Sequence, residues 1–479
     1  MIFSSSEYLF IFLPVTFAIY WLFARWMPRT GRVSLLVIAS MVFYAWSVPK
    51  FLILLALSIG FNYIGGKWLL LRRNKAILAI FITANCLPLA FYKYTNFILS
   101  AIADLLGWIG CDLSLPALKL ALPLGISYFT FVQIAYLVDV YRNAVSTSFV
   151  DYAFHVSFFP KMIAGPITRW REMVPQLGCG GFPRFQSRHL YLGLVVFMIG
   201  LGKKVLLADP LGAVVDWGWG EHEFQIDAAT CWLTTFCYTL QLYFDFSGYS
   251  DMAWGAAYLF NIKLPINFMS PYKADSIQDF WRRWHISLSR WLRDYLYFPF
   301  GGSRCSLPKT IRNVFLTFLI GGIWHGAGWT FVIWGAMHGV ALSICNLWRK
   351  LQWRHIPNFV GWTLTIVFVH FAWVFFRAPD LSAARKMISG MLGAFSGVET
   401  VSYDWSLGNA WFVYVILFVA TVILFFPNSR QIAIYSAKRY KRHMFQIVSG
   451  GLFAVVFFMV MLRMLAKNVA PSPFVYSQF

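Results

Sequence analysis

The sequence predicts an all-α, polytopic membrane protein. The composition, the length of the apolar runs and their periodicity each support this fold class. Of the 479 residues, 59% are hydrophobic and only 12% are charged, whereas a soluble domain usually carries about 25% charged residues. A chain with so few charges cannot cover its surface with polar groups, so lipid must cover it instead. We therefore expect residues 1–479 to form a single integral membrane domain.

The apolar residues are gathered into runs that approach the length of a membrane span, which needs about 20 residues of helix. Their lipid-exposed backbone must be helical, because no water is available to pair its polar groups. The runs also lack the alternation of a β-barrel strand. They are Tyr8–Trp26, Val33–Ile64, Ala76–Phe91, Leu190–Leu207, Ala228–Phe246, Val314–Trp324, Thr330–Leu347, Val360–Phe376, Trp411–Phe426 and Ile447–Leu462. With the longest runs folding back on themselves, they predict about ten to thirteen crossings.

Positive charge is the other marked feature of the chain, whose formal net charge is +21. Lys and Arg concentrate in cytoplasmic loops and against anionic lipid headgroups. Arg25 lies at the end of the first apolar run, and Arg29 and Arg32 follow it, which predicts an outside N-terminus and a cytoplasmic first loop. No basic, aromatic surface stands apart from the apolar runs, so the sequence favours membrane lipids over nucleic acid as a partner.

Three polar stretches interrupt the apolar pattern, and the first is Leu122–Arg171. Pro160, Gly165 and Pro166 break or bend a helix there. A broken backbone at membrane depth is tolerated where protein buries it or where it lines a watery cavity. A buried break and a loop at the surface both remain open for this stretch.

The second polar stretch, Tyr243–Asp251, brings two carboxylates to the end of an apolar run. An acidic group at membrane depth is costly and is usually functional, so we expect Asp245 to have a buried polar partner. For Asp251 we expect a helix cap at the interface, where its side chain accepts hydrogen bonds from free backbone N–H groups.

The third polar stretch, Asn267–Arg304, predicts an amphipathic helix suited to a membrane interface. Its apolar stripe consists of Trp281, Trp284, Leu288, Trp291 and Tyr295, and Arg282, Arg290 and Arg293 lie on the other side. His285 lies beside the stripe, at helical spacing from Trp281 and Leu288. We therefore expect its imidazole to face the protein or the headgroup boundary rather than open water.

His325 is the histidine whose surroundings best suit catalysis. It lies in an apolar region among glycines, Gly321, Gly322, Gly326 and Gly328, and small residues let helices or a ligand approach the backbone closely. A histidine near its ordinary pKa is the natural general base at neutral pH. A buried histidine that only packs among glycines is the structural alternative.

His338 follows thirteen residues later and would point away from His325 on one continuous helix, so the sequence does not predict a shared site. Neither histidine has a third ligand at a recognisable spacing, and the seven cysteines match no metal motif. We therefore predict no metal site. On residue chemistry alone, an enzyme, a channel and a transporter all remain open.

Four segments together resemble the membrane-bound O-acyltransferase family, and in particular its bacterial branch, which includes membrane subunits for alginate O-acetylation. They are Phe280-Trp-Arg-Arg-Trp-His-Ile-Ser-Leu-Ser, Trp324-His-Gly-Ala, Phe244-Asp-Phe-Ser-Gly-Tyr-Ser-Asp and the segment from Pro160 to Pro166. The resemblance runs from the N-terminal Met-Ile-Phe-Ser-Ser to about Val340, and the remainder agrees in hydropathy.

The resemblance implies a ring of helices around a thinned centre that a tunnel pierces, with interfacial or re-entrant helices. It implies that His325 is the catalytic histidine and that His285 is a second polar residue near the same tunnel. Acetyl-CoA is the implied donor, a substrate rather than a permanently bound cofactor. Arg282, Arg283 and Trp324 are the residues expected to contact it, and snorkelling to lipid headgroups is the alternative role of the two arginines.

The resemblance also implies a multi-pass protein of the bacterial inner membrane that O-acetylates an exported polysaccharide. A separate periplasmic, serine-hydrolase-like acetyltransferase is the expected partner. Alginate is the first choice of polymer, and peptidoglycan and cellulose are alternatives. Acylation of a lysophospholipid is a second enzymatic possibility, and a transporter of acyl carriers without chemistry is a different class.

Overall fold

The computed structural model describes residues 1–111, 116–178, 184–220, 227–353, 356–394, 410–441, 443–465 and 474–475. Throughout these residues the regular structure is helical, which confirms the all-α class. Contacts divide the chain into two compact units, Met1–Gln186 with Leu259–Pro265 and Ser187–Tyr258 with Ile266–Phe479. The single domain over residues 1–479 stays a prediction.

Six helices in the described part are long and apolar enough to cross a membrane, which confirms a multi-pass membrane protein. They are Arg29–Ser47, Pro49–Leu71, Lys75–Trp108, Ser187–Gly218, Trp329–Lys350 and Asn358–Arg377. A seventh span results when the pair Tyr414–Phe425 and Ser429–Arg439, bent by 65°, is counted as one. The prediction of about ten to thirteen crossings also counted shorter apolar runs. In the structure, shorter apolar helices are found at Glu7–Phe23 and Gly450–Arg463.

The described residues of the first unit form seven α-helices. They are α1 (Leu13–Phe23), α2 (Arg29–Ser47), α3 (Leu52–Leu71), α4 (Lys75–Trp108), α5 (Ile126–Asn143), α6 (Phe149–Ser157) and α7 (Trp170–Met173). The long apolar run Val33–Ile64 is divided between α2 and α3 at Pro49–Phe51, as expected of a run that folds back on itself.

The proline-broken segment between α6 and α7 is buried within this unit. Phe158, Phe159 and Thr168 are fully enclosed, and the Phe159 N–H donates to the Ser40 hydroxyl at 3.0 Å. The backbone groups that a broken helix leaves unpaired therefore find a partner inside the protein. Of the two possibilities that the sequence left open, the buried break is correct.

The second unit carries the predicted histidines. Its helices are α8 (Ser187–Gly202), α9 (Asp209–Gly218), α10 (Ala228–Leu259, whose last residue belongs to the first unit), α11 (Ile277–Arg283), α12 (Ile286–Leu292), α13 (Leu307–His325), α14 (Trp329–Lys350), α15 (Asn358–Arg377), α16 (Leu381–Met391), α17 (Ala410–Phe425), α18 (Ser429–Arg439) and α19 (His443–Leu465). Two π-helical segments, Lys203–Ala208 and Arg293–Tyr297, continue α8 and α12.

Helices α13 and α14 form a tightly packed hairpin that turns at Gly326–Gly328. Gly322 faces Gly335, and a Cβ added to Gly322 would lie only 2.5 Å from the Phe331 carbonyl oxygen. Glycine is required on both faces because the two backbones are in contact. This contact fixes the end of α13, where His325 lies, against the first turns of α14.

The prediction of one continuous amphipathic helix in the third polar stretch is wrong. The chain forms two short helices, α11 and α12, and breaks between them at Trp284 and His285. His285 has φ +40° and ψ +54°, a left-handed conformation that a residue with a side chain rarely adopts. The stripe residues Trp281, Trp284, Leu288, Trp291 and Tyr295 are all buried nonetheless.

Candidate active site

His325 is the last residue of α13 and is almost wholly buried, with 3% of its surface exposed. Aromatic rings surround its imidazole: Trp324 at 4.8 Å, Trp334 at 5.0 Å and Phe376 at 5.3 Å between ring centroids. Trp324, which the resemblance linked to the donor, is itself buried. A dry, apolar enclosure strengthens every polar interaction that a reacting group makes inside it.

His285 is completely buried at the break between α11 and α12, and its ring lies edge-on to Phe246 at 4.7 Å. Its left-handed backbone costs of order 1–3 kcal/mol and persists only where the surroundings enforce it. Such strain is concentrated at functional sites. The break turns the imidazole into the protein, as the sequence predicted.

Asn267 determines which nitrogen of His285 carries the proton. Asn267 Oδ1 accepts the Ser287 N–H at 3.1 Å and the Ser287 hydroxyl at 2.9 Å, which identifies this atom as the amide oxygen. The same oxygen lies 3.1 Å from His285 Nδ1, so Nδ1 must donate. Nε2 then holds the lone pair of the neutral ring. Burial lowers the pKa of His285 to about 3, so this neutral tautomer is maintained at neutral pH.

One set of packed rings joins the two predicted histidines. Trp284, the neighbour of His285, lies 5.0 Å from Trp373, which lies 5.4 Å from Phe376. Phe376 contacts His325. We call the five rings of Trp281, Trp284, Trp334, Trp373 and Phe376 the aromatic cluster. His325 therefore contacts this cluster directly, and His285 adjoins it in the chain through Trp284. That the two histidines serve one tunnel stays a prediction.

The structure adds His338, which the sequence excluded on the assumption of one continuous helix. Because the chain turns at Gly326–Gly328, α14 packs antiparallel to α13, and His338 lies fully buried 4.8 Å from the Trp334 ring. His325 contacts the same indole. The glycines after His325 were the sequence signal for this turn.

The arginines expected to contact the donor differ in their surroundings. Arg282 is exposed, whereas Arg283 is half-buried and donates from Nε to Asp279 at 2.7 Å. Both lie in the last turn of α11, next to the break at His285. Arg283 already has a carboxylate partner, so Arg282 is the better placed of the two to attract an anion.

Two carboxylates of α10 are paired with lysines of the preceding π-helical segment. Asp245 is fully buried and accepts from Lys204 at 2.6 Å, which confirms the predicted buried partner. Asp251 does not cap a helix, because it lies within α10 and binds Lys203 at 2.7 Å. The Ser429 hydroxyl also donates to Asp251 at 2.5 Å, so this carboxylate ties α10 to α18.

With the histidines, the enclosing rings and the membrane helices in place, comparison with known proteins defines the class. Residues 5–383 match the model of the membrane-bound O-acyltransferase family. The chain therefore belongs to this family and is a membrane O-acyltransferase. The matched range includes α13, α14 and the break at His285.

Named relatives narrow the class further. The chain is 43% identical to the peptidoglycan O-acetyltransferase of Helicobacter pylori over 82% of its own length and 80% of that protein. It is 40% identical to the probable alginate O-acetylase AlgI of Pseudomonas aeruginosa over 82% and 75% of the two chains. The teichoic acid D-alanyltransferase of Bacillus subtilis is 29% identical over 53% and 67%.

Proposed function

We propose that this protein takes an acetyl group from cytoplasmic acetyl-CoA and passes it across the bacterial inner membrane for O-acetylation of an exported polysaccharide. The similarity to a peptidoglycan O-acetyltransferase and to a probable alginate O-acetylase, over four fifths of the chain, carries this proposal. The buried histidines beside one aromatic cluster are the residues that perform the chemistry.

His325 acts as the general base. It removes the proton from an acceptor hydroxyl, and the oxygen attacks the carbonyl carbon of the thioester. The carbonyl electron pair moves to its oxygen and then returns as the carbon–sulfur bond breaks. The thiolate that leaves takes the proton back from the His325 imidazolium, so that an acetyl ester and CoA are formed. General base catalysis of this kind typically contributes about 10²–10⁴ in rate.

His285 orients the acceptor. Its Nδ1 proton is committed to Asn267, and its Nε2 offers a lone pair. A hydroxyl group can donate to that lone pair, which aligns the hydroxyl oxygen for attack. The alternative role, donation of a hydrogen bond to the developing oxyanion, needs a proton on Nε2 and is disfavoured by this tautomer.

Arg282, Arg283 and Trp324 are the proposed contacts of the donor. The exposed guanidinium of Arg282 suits the phosphates of CoA, because arginine binds phosphate through paired N–H donors. Arg283 contributes a weaker field, since Asp279 neutralises it. Trp324 lies against His325, where an indole can cover the acetyl end of the donor.

The acceptor of first choice is alginate, and peptidoglycan is a second candidate that the 43% identity to the H. pylori protein favours. In either case a periplasmic, serine-hydrolase-like partner completes transfer to the sugar hydroxyl. Two other functions remain as rivals. A lysophospholipid acyltransferase would use long acyl chains, and a transporter would move acyl carriers without any need for His325 as a base.

The proposal is tested in inside-out membrane vesicles that contain the protein, its periplasmic partner and the polymer. Acetyl-labelled CoA is supplied outside, and label trapped on lumenal protein or polysaccharide is counted. We expect label to enter with the native chain and to fall to background with His325→Ala at matched expression. Equal transfer by both proteins would refute His325 as the base, and absence of transfer by both would favour the lipid or transporter function.

A further inference from the structure

The tautomer of His338 is fixed by a tryptophan. Trp281 Nε1 donates to His338 Nδ1 at 3.2 Å in the buried core. An indole nitrogen is only ever a donor, so Nδ1 must offer its lone pair and cannot carry a proton. The ring is therefore neutral, and its single proton lies on Nε2.

The Nε2–H of His338 is a buried donor for which the described part of the protein supplies no acceptor. The Nε1–H of Trp334 is in the same situation, and both side chains are almost wholly enclosed. Buried donors are nearly always paired, and exceptions often mark a place where a ligand binds. Here two such donors lie one helical turn apart on α14.

Trp334 lies against the proposed base, and His338 lies against Trp334. The Trp334 indole contacts His338 at 4.8 Å and His325 at 5.0 Å between ring centroids. In the proposed reaction, the acceptor hydroxyl that His325 deprotonates attacks the carbonyl group of the donor. The N–H groups of Trp334 and His338 can therefore reach the oxygen of that carbonyl group. In acyl transfer a base and the oxyanion donors approach the reacting carbonyl from different sides.

We propose that the Nε2–H of His338 and the Nε1–H of Trp334 bind the carbonyl oxygen of the acyl donor and stabilise its negative charge during transfer. The inference rests on the proposed function, because it assigns the electrophilic half of that reaction. It also supplies the donor that His285 cannot provide, since the Nε2 of His285 bears a lone pair. The ligand of the site is thus the carbonyl oxygen of a thioester. Two preorganised N–H groups stabilise the negative charge that develops on this oxygen.

The proposed mechanism predicts how kcat and KM change when one donor is lost. As the acceptor oxygen bonds to the carbonyl carbon, the electron pair of the C=O bond moves to oxygen and the two N–H bonds strengthen. When the carbon–sulfur bond breaks, the pair returns and the donors relax. Loss of one donor should therefore lower kcat and leave KM nearly unchanged, because the contact is strongest in the transition state.

The test uses full-length variants in the vesicle assay, with acetyl-CoA as the varied substrate. His338→Leu should lower kcat about 10²-fold with KM changed less than about threefold, a typical loss for one oxyanion donor. Trp334→Phe keeps a ring but removes the N–H and should also lower kcat. His338→Gln restores an N–H near the position of Nε2 and should recover at least about tenfold of the loss.

His370→Leu is the matched control, because His370 is also a buried histidine of the second unit, but its ring nitrogens bond to Thr235 and Thr239 instead. It should keep kcat within about threefold. If His338→Leu and Trp334→Phe keep native kcat while His325→Ala is inactive, the donor assignment is overturned and the proposed function stands. A rise in KM alone, or no recovery in His338→Gln, also overturns it. If the native chain itself is inactive, the result contradicts the proposed function instead.

Discussion

Gly322 and Gly335 are in backbone contact where α13 and α14 cross, and a Cβ on Gly322 would lie 2.7 Å from the Cα of Gly335. This contact sets the distance between the helix that ends in His325 and the helix that carries Trp334 and His338. The geometry of the candidate active site therefore depends on two residues that have no side chain of their own.

A single methyl group at this crossing should disrupt the site. In Gly322→Ala the new Cβ meets backbone atoms that cannot turn away, so the helices must separate. Overpacking of this kind typically costs about 1–3 kcal/mol, and acetyl transfer should fall at least about tenfold because catalytic alignment is sensitive to small displacements. The thermal unfolding midpoint in detergent and the transfer rate are the measurements.

Gly451→Ala provides the matched control for that substitution. Gly451 also lies inside a helix, α19, but nothing lies within 4 Å of its Cβ position. Alanine is favoured over glycine in a helix by about 0.5–1 kcal/mol, so this variant should be unchanged or slightly more stable, with native activity. Equal behaviour of the two variants would contradict the packing argument.

Loss of the proposed base should affect the chemical step alone. His325→Gln keeps a polar side chain of similar size but cannot accept the proton from the acceptor hydroxyl. We expect kcat to fall by about 10²–10⁴ while KM for acetyl-CoA stays close to native. Rates at saturating and subsaturating acetyl-CoA distinguish this outcome from a binding defect, in which KM would rise and kcat would persist.

The pH dependence of the transfer rate should not reflect protonation of His285. Burial holds the pKa of His285 at about 3, well below its ordinary value of 6.5, so the ring is neutral throughout the range from pH 5 to pH 7. An acid limb between pH 5 and 7 must then come from another group. His285→Gln should lower the transfer rate yet leave the midpoint of the acid limb where it is in the native protein. Disappearance of that limb in the variant would show that His285 titrates during turnover.

The sequence predicted the membrane class, which the structure confirms, and it singled out His325 and His285 because a polar residue in an apolar setting stands out locally. It did not predict that His338 lies near His325, since the angle between two residues on a helix is meaningful only when the helix continues. The turn at Gly326–Gly328 removed that premise. Side chains that meet through a hairpin cannot be paired from spacing alone.

The break at His285 shows a second limit of pattern reasoning. The stripe was predicted as the apolar side of an amphipathic helix at a membrane interface, and the structure buries these residues inside the protein instead. They still share one apolar environment, because apolar periodicity survives a short interruption. The left-handed conformation of His285 had no local signal, since neither glycine nor proline occurs at that position. Tertiary contacts, above all the bonds from Asn267 to both His285 and Ser287, maintain it.

The two arginines of α11 should differ in their effect on the donor. Arg282 is exposed, and its removal in Arg282→Ala should raise KM for acetyl-CoA by a few-fold, as expected of a surface charge worth about 0.2–1 kcal/mol. Arg283→Ala should change KM less, because Asp279 already neutralises that guanidinium. Added salt should reduce the difference between native and Arg282→Ala proteins. Equal KM values at low salt would remove Arg282 from the donor site.

The buried ion pairs of Lys204 should be required for stability rather than for chemistry. Lys204 Nζ lies 2.6 Å from Asp245 and 2.9 Å from Asp209, and Asp245 also accepts the Val475 N–H at 2.8 Å. Lys204→Met removes the cation that binds both carboxylates, of which Asp245 is completely buried. Removing one partner of a buried pair typically costs about 3–5 kcal/mol, so the unfolding midpoint in detergent should fall by several degrees.

A compensated variant separates charge from packing at this position. Lys204→Met combined with Asp209→Asn and Asp245→Asn also removes the two carboxylate charges that Lys204 binds, and it should recover most of the stability that Lys204→Met alone loses. Lys438→Met, a change at an exposed lysine of α18, controls for loss of a positive charge and should leave the midpoint unchanged. If the triple variant were no more stable than the single one, loss of lysine packing rather than unpaired carboxylates would explain the effect. The residual activity per folded molecule should be close to native in all three, because these charges do not contact the aromatic cluster among the described interactions.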